Sequence, residues 1–99
     1  MNVGVVESNG GIRCVLSAFL LEEGYKVKDY KEVPVDYEEA TNMVIFGPTI
    51  TVQQEHLNML NEKRIPYLQL EYFADMEVVM EQVAKFAHTE QSILEDRAV

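Results

Sequence analysis

The sequence predicts an α/β fold, a small doubly wound parallel sheet of about four strands, and three observations carry that expectation. Apolar runs of strand length recur at Asn2–Val6, Met43–Phe46 and Tyr67–Leu70, bounded by turn and loop signals. Helical patterns alternate with them, and alternation of this kind implies parallel pairing through right-handed crossovers, with helices on both faces. The 99 residues, 47% apolar and 25% charged, suit one packed globular domain. They exclude a disordered chain and a two-domain one.

Each element has its own warrant. Asn2–Val6 ends in Glu7-Ser8-Asn9-Gly10-Gly11, a buried strand with a tight turn into a helix. Ile12, Val15, Leu16, Phe19 and Leu20 then recur at i, i+3, i+4, i+7 and i+8, a helical stripe that Gly24 stops. Lys26–Tyr30 is strand-like. From Lys31 to Thr41, Pro34 and clustered acids leave room for one helical turn at most. Met43–Phe46, closed by Gly47-Pro48, is a second buried strand. Thr51 with Gln54 three residues on has capping-box spacing and opens a helix to about Lys63. Ile65 and Pro66 lead into the strand at Tyr67–Leu70. Asp75 caps a last helix with Met76, Val79, Met80 and Val83 on one face, continuing through Phe86 and Ile93. The domain is expected at 1–88, with a helical tail at 89–99.

Charge and cysteine content narrow the function classes. Seventeen acids against eight bases give a net charge of −9, which argues against nucleic acid or an anionic membrane as a partner. Residues 32–62 hold six acids and no base, a solubilising surface or one that docks a basic protein. The apolar runs fall far short of the roughly 20 residues that span a bilayer, and the first residues do not resemble an export signal. The single cysteine, Cys14, permits no internal disulfide and adjoins the first helical stripe, so a structural thiol and a cytoplasmic location are expected. His56 and His88 lack metal-ligand spacing. His56 falls on the inner side of the second helix as a satisfied histidine, and Met59, Met76 and Met80 read as core filling.

In doubly wound sheets, ligands and chemistry sit beyond the carboxyl ends of the strands, which here are Glu7–Gly11, Gly47–Thr51 and Glu71–Phe73. Around these loops the chain resembles the receiver domain of bacterial response regulators. Val5-Val6-Glu7-Ser8-Asn9-Gly10-Gly11-Ile12-Arg13 is similar to the family's opening, where an apolar strand ends in two acids before a helix that starts with Ile-Arg. Leu20-Leu21-Glu22-Glu23-Gly24-Tyr25-Lys26-Val27 resembles the passage from first helix to second strand. Val44-Ile45-Phe46-Gly47 stands where the family has its third strand and phosphoacceptor aspartate, and Ile65 to Asp75 resembles its fourth strand and the start of its fourth helix. The likeness spans about residues 2–88, so the fold implied is flavodoxin- or receiver-like, lacking the usual fifth strand and fifth helix.

What the resemblance implies about chemistry is mostly loss. A receiver needs an acceptor carboxylate, two further acids for Mg²⁺, a hydroxyl and a lysine on a fifth strand. Here the acceptor position falls on Gly47, the acid pair on Glu7-Ser8, the hydroxyl on Glu71, and no matching lysine follows. The resemblance therefore implies a degenerate pocket of Glu7, Ser8, Gly47 and Glu71 with no catalytic residue, metal or cofactor. The module would be a pseudo-receiver in bacterial signalling or transcription that is not phosphorylated. A cation held between Glu7 and Glu71 is the weaker alternative.

Without a fifth strand the fourth becomes a sheet edge, and without a fifth helix apolar surface is left open, so a homodimer around the fourth strand and last helix is expected. Tyr67, Tyr72, Phe73, Met76 and Met80 are the contact candidates. An unidentified protein partner is the other expectation. The competing function is a small flavodoxin-like protein binding a nucleotide or another phosphorylated ligand at Ser8, Asn9, Gly10 and Gly11, although neither phosphate-binding glycine motif is present and one serine is thin support for FMN. Gly47-Pro48 with Ile65–Glu71 is also similar to the first half of a class I glutamine amidotransferase. The cysteine that chemistry needs is absent near Glu71.

Overall fold

A computed structural model of the chain describes residues 1–72 and 74–97, with side chains described as far as His88. Strand β1 (Asn2–Val6), helix α1 (Gly10–Glu22), strand β2 (Lys26–Tyr30), strand β3 (Met43–Phe46), helix α2 (Gln54–Glu62), strand β4 (Tyr67–Gln69) and helix α3 (Met76–Arg97) follow in order. The strands form one parallel sheet, β2-β1-β3-β4. The crossovers β1-α1-β2 and β3-α2-β4 run in opposite directions along it, and right-handedness then forces α1 and α2 onto opposite faces. β2 and β4 are the two edges of the sheet.

Two core clusters record the two faces. On one, Leu16 and Leu20 of α1 and Val79 and Val83 of α3 pack on Val3, Val5, Met43 and Ile45. On the other, Leu60 of α2 and Tyr37 of the β2–β3 connection pack on Val6, Val44 and Phe46. The sheet's central strands β1 and β3 are buried almost throughout, as expected of strands covered on both sides.

Several expectations from sequence require correction. The bare face anticipated where a fifth helix would lie is partly covered, because α3 crosses back after β4 onto the α1 face and inserts Val79 and Val83 into that cluster. The α1 stripe is only half buried: Val15 (49% exposed) and Phe19 (40%) face solvent. Cys14 is exposed as well, so it is no core thiol. Thr51 does not cap α2. Gln53 holds that position without a side-chain bond. Residues 31–42 form no helix at all. Asp75 does act as the cap of α3, accepting from Glu77 N–H at 2.9 Å. Residues 89–97 continue α3 without a break.

Candidate functional site

The parallel register Val6↔Phe46 sets Glu7 and Gly47 side by side at the carboxyl ends of β1 and β3, with Gly47 N–H donating to Val6 O at 2.8 Å. Both lie under the loops that lead into α1 and α2. Glu7 is fully buried, the one charged residue in the core among the described residues. A carboxyl group placed there requires hydrogen-bond donors.

The loops supply those donors. Asn9 N–H donates to Oε1 at 3.2 Å, Thr49 N–H donates to Oε2 at 3.3 Å, and the Thr49 hydroxyl donates to Oε1. Ser8 Oγ lies 2.7 Å from Thr49 Oγ1. Because the single Thr49 proton goes to Glu7, Ser8 is the donor to Thr49. The Glu7 main chain is held too, its N–H donating to Tyr30 O at 3.0 Å and its carbonyl accepting from Arg13 Nη1 at 2.8 Å. Arg13 Nε also lies 3.6 Å from Asp29 Oδ2. Across the sheet end, Gln69 Nε2 donates to Gly47 O at 3.1 Å and Leu70 O at 3.3 Å, tying β3 to β4.

Gly47 is where this arrangement departs from an ordinary strand end. A Cβ added there would stand 2.5 Å from Glu7 Cδ and 2.9 Å from Glu7 Cβ, with Oε2 closer still. Its backbone is outside the left-handed region, in which Gly24 is the only glycine, so the glycine is required by space and not by φ. The Glu7 side chain occupies the volume into which a residue at 47 would project its own.

The structure brings together Glu7, Ser8 and Gly47, while Glu71 is exposed in the β4–α3 loop. Thr49 was missed from the sequence. The signal was its place two residues beyond Gly47, in a loop that adjacent parallel strands bring next to Glu7. In the loop Ser8–Gly11, Asn9 Oδ1 accepts from Ile12 N–H at 3.0 Å and Asn9 O from Arg13 N–H at 2.9 Å, a side-chain N-cap that serves the helix's own donors. Among the described residues no three His, Cys, Asp or Glu side chains gather as a metal-holding group. No described helix is long and apolar enough to cross a membrane.

Beside this cluster lies an open cavity of about 380 Å³ between the α1 N-terminus and the β4–α3 loop, lined by Ile12, Val15, Leu70, Tyr72 and Met76 and edged by Glu71. Tyr72 and Met76, two of the contact candidates, meet there. Met80 packs against the α1–α3 core. Tyr67 turns to the opposite face, its ring 6.1 Å from that of Phe46. Phe73 lies outside the described residues.

On that opposite face the β2–β3 connection is fastened to α2. Tyr37 Oη is 2.5 Å from His56 Nε2, and Lys63 Nζ donates to Asp36 Oδ1 at 2.6 Å. Burial, with Tyr30 beside it, pushes the Tyr37 phenol well above its ordinary range, and burial pushes His56 down. The Lys63 hydrogen bond holds the Asp36 carboxyl below the usual carboxylate range.

No family model and no curated protein sequence matches the chain. Solved structures do. The non-phosphorylated HemR receiver domain of Leptospira biflexa aligns at TM-score 0.69 and 12% identity, covering 86% of this chain and 92% of that one. The response regulator TrrA of Thermotoga maritima, solved with Mg²⁺-BeF, aligns at TM-score 0.58 and 19% identity, covering 86% and 97%. The chain is thus a receiver-like α/β domain, and at these identities the likeness is one of fold.

Proposed function

We propose that this chain is a receiver-like protein–protein interaction module that takes up no phosphoryl group, catalyses no reaction and works as a homodimer in a bacterial signalling or transcriptional assembly. The observation that supports the reading is the Glu7 side chain standing in the space beside Gly47. Phosphoryl transfer to such a pocket needs an available acceptor carboxylate and oxygen ligands for Mg²⁺ around it. Gly47 offers no acceptor. Both oxygens of Glu7, the acid adjoining that place, are engaged by Asn9 and Thr49.

Self-pairing draws its support from the β4 edge. An open strand edge is a template for another strand, and beside it Leu68, Gln82, Lys85 and Phe86 shape a shallow hollow with no acidic lining. In a chain of net charge −9, repulsion between two copies is least at such a place. Binding of a nucleotide or phosphorylated ligand at Ser8–Gly11 draws less support, because the Asn9 cap already serves two amides of the first turn.

Two measurements test the reading. Intact mass after incubation with acetyl phosphate and Mg²⁺ is expected to stay unchanged, and a stable gain of one phosphoryl group overturns the inert pocket. Light scattering at tens of micromolar is expected to give a dimer for the wild type and a monomer for Phe86→Glu. A monomeric wild type removes the self-pairing half.

A further inference from the structure

Helices α1 and α3 lie on the same face without closing over it. On α1 the flank turned to α3 carries Ile12 and Val15, with Phe19 in line at i+7 from Ile12. On α3 it carries Met76 and Met80, both packed at the margin of the core cluster. Tyr72, 68% exposed, stands at the open end. The result is an apolar groove that continues the cavity above Leu70.

Its rim has one sign of charge. Glu71 edges the cavity, Glu22 follows Phe19 by three residues on the same flank of α1, and Glu77 and Glu81 each follow a groove methionine by one; all are exposed. The bases of the two helices with described side chains are elsewhere. Arg13 is bound to Glu7 O and Asp29, and Lys85 lines the hollow on the far flank of α3. A second copy of this acidic chain would bring like charges to this rim, whereas the hollow at the β4 edge has none.

From apolar floor and acidic rim together, we infer that the α1–α3 groove docks a basic amphipathic helix of a partner protein. Apolar residues at i, i+3 or i+4, and i+7 would meet Val15, Phe19 and Met76, while Lys or Arg side chains meet Glu22, Glu71 and Glu77. The inference rests on the reading of the chain as an interaction module and names the partner's chemistry. It also gives α3 two working flanks, one toward β4 for a second copy and one toward α1 for the partner.

The test uses the full chain and a fluorescent peptide of about 15 residues with Leu at helix-groove spacing and Lys elsewhere. Anisotropy is expected to show binding that weakens about tenfold between about 0.05 and 0.3 M salt, since exposed charge pairs are screened over that range. Val15→Asp and the Glu22→Lys, Glu71→Lys pair are each expected to weaken it about tenfold or more at unchanged thermal stability. Glu38→Lys with Glu39→Lys, an acid pair far from the groove, is expected to leave it unchanged. The inference falls if the wild type does not bind, if Val15→Asp binds normally, or if the distant pair matters as much as the rim pair. It also falls if Val15→Asp converts a dimer to a monomer, for then a second copy holds the groove. Phosphorylation by acetyl phosphate would overturn the functional reading independently of any peptide result.

Discussion

Replacing Gly47 by Ala probes the site with a single carbon. The added Cβ would stand 2.9 Å from Glu7 Cβ and 2.5 Å from Glu7 Cδ, so either the core strains around both side chains or Glu7 rotates out. Overpacking of this kind costs about 1–3 kcal/mol. Rotation forfeits three hydrogen bonds accepted by the carboxyl group, worth about 0.5–1.5 kcal/mol each. The cheaper escape therefore lies near 2–3 kcal/mol by either estimate. Since the Gly47 backbone suits alanine, the stiffer unfolded chain returns about 0.4–1 kcal/mol. A net loss of about 2 kcal/mol, or a melting point lower by about 8–16 °C for a domain of this size, is expected. Urea unfolding of a double-mutant cycle isolates the cause. With Glu7→Ala already in place the contacts with Cδ and Oε2 are gone and only the close approach to Cβ remains, so Gly47→Ala should cost clearly less than in the wild type, giving a coupling of at least about 1 kcal/mol. A cost of under about 0.5 kcal/mol in the wild type, or an equal cost in both backgrounds, refutes the placement of Glu7 beside Gly47.

Thr49→Val removes the hydroxyl between Ser8 and Glu7 while keeping shape, and by taking one donor from the buried Glu7 carboxyl it should cost about 1–3 kcal/mol in urea unfolding; Ser8→Ala, at the exposed end of the chain of bonds, should cost less. Val83→Ala tests whether α3 packs on the α1 face: a fully buried valine should cost about 1–3 kcal/mol, against less than about 0.5 for Val78→Ala on the exposed side. Because burial lowers the His56 pKa, the unfolded chain holds that proton more tightly. Its contribution is complete above the unfolded value of about 6.5 and is lost as pH falls below it, with a slope of at most about 1.4 kcal/mol per pH unit. The melting point of the wild type should accordingly drop more between pH 7.5 and 5.5 than that of His56→Gln, and parallel curves would refute the assignment.

Local pattern disclosed the strands and helices because each apolar run was short, bounded and free of internal breakers. The lack of a side chain at Gly47 was legible too, because it is visible at any single position. What local pattern left out is relational. Glu7 and Gly47 are 40 positions apart, and only the pairing of β1 with β3 shows that one fills the other's space. The misassigned cap has a similar origin, since Thr51 has the right spacing to Gln54 but the loop spends Thr49, not Thr51, on a polar contact. Val15 and Phe19 satisfied the helical period, yet periodicity does not say how wide the covered stripe is. With α3 set apart from α1, that flank stays open. The return of α3 to the α1 face depends on what happens after the last strand, where no crossover rule constrains the chain. Tyr37 and His56 were legible as aromatic and histidine, but their bond needs the irregular 31–42 segment folded over α2.

The occupancy of position 47's space by residue 7 also fixes the order in which this protein can change. An aspartate arriving at 47 meets a neighbour already in residence, so a mutant gaining that side chain alone is expected to be born less stable, whatever chemistry it promises. The reverse order, with a smaller residue first at 7, opens a route but empties a filled interior before anything replaces it. Adaptation toward a phosphate-accepting form must then cross a valley, and descendants of this sequence are steered toward elaborating contacts on the outside of the domain.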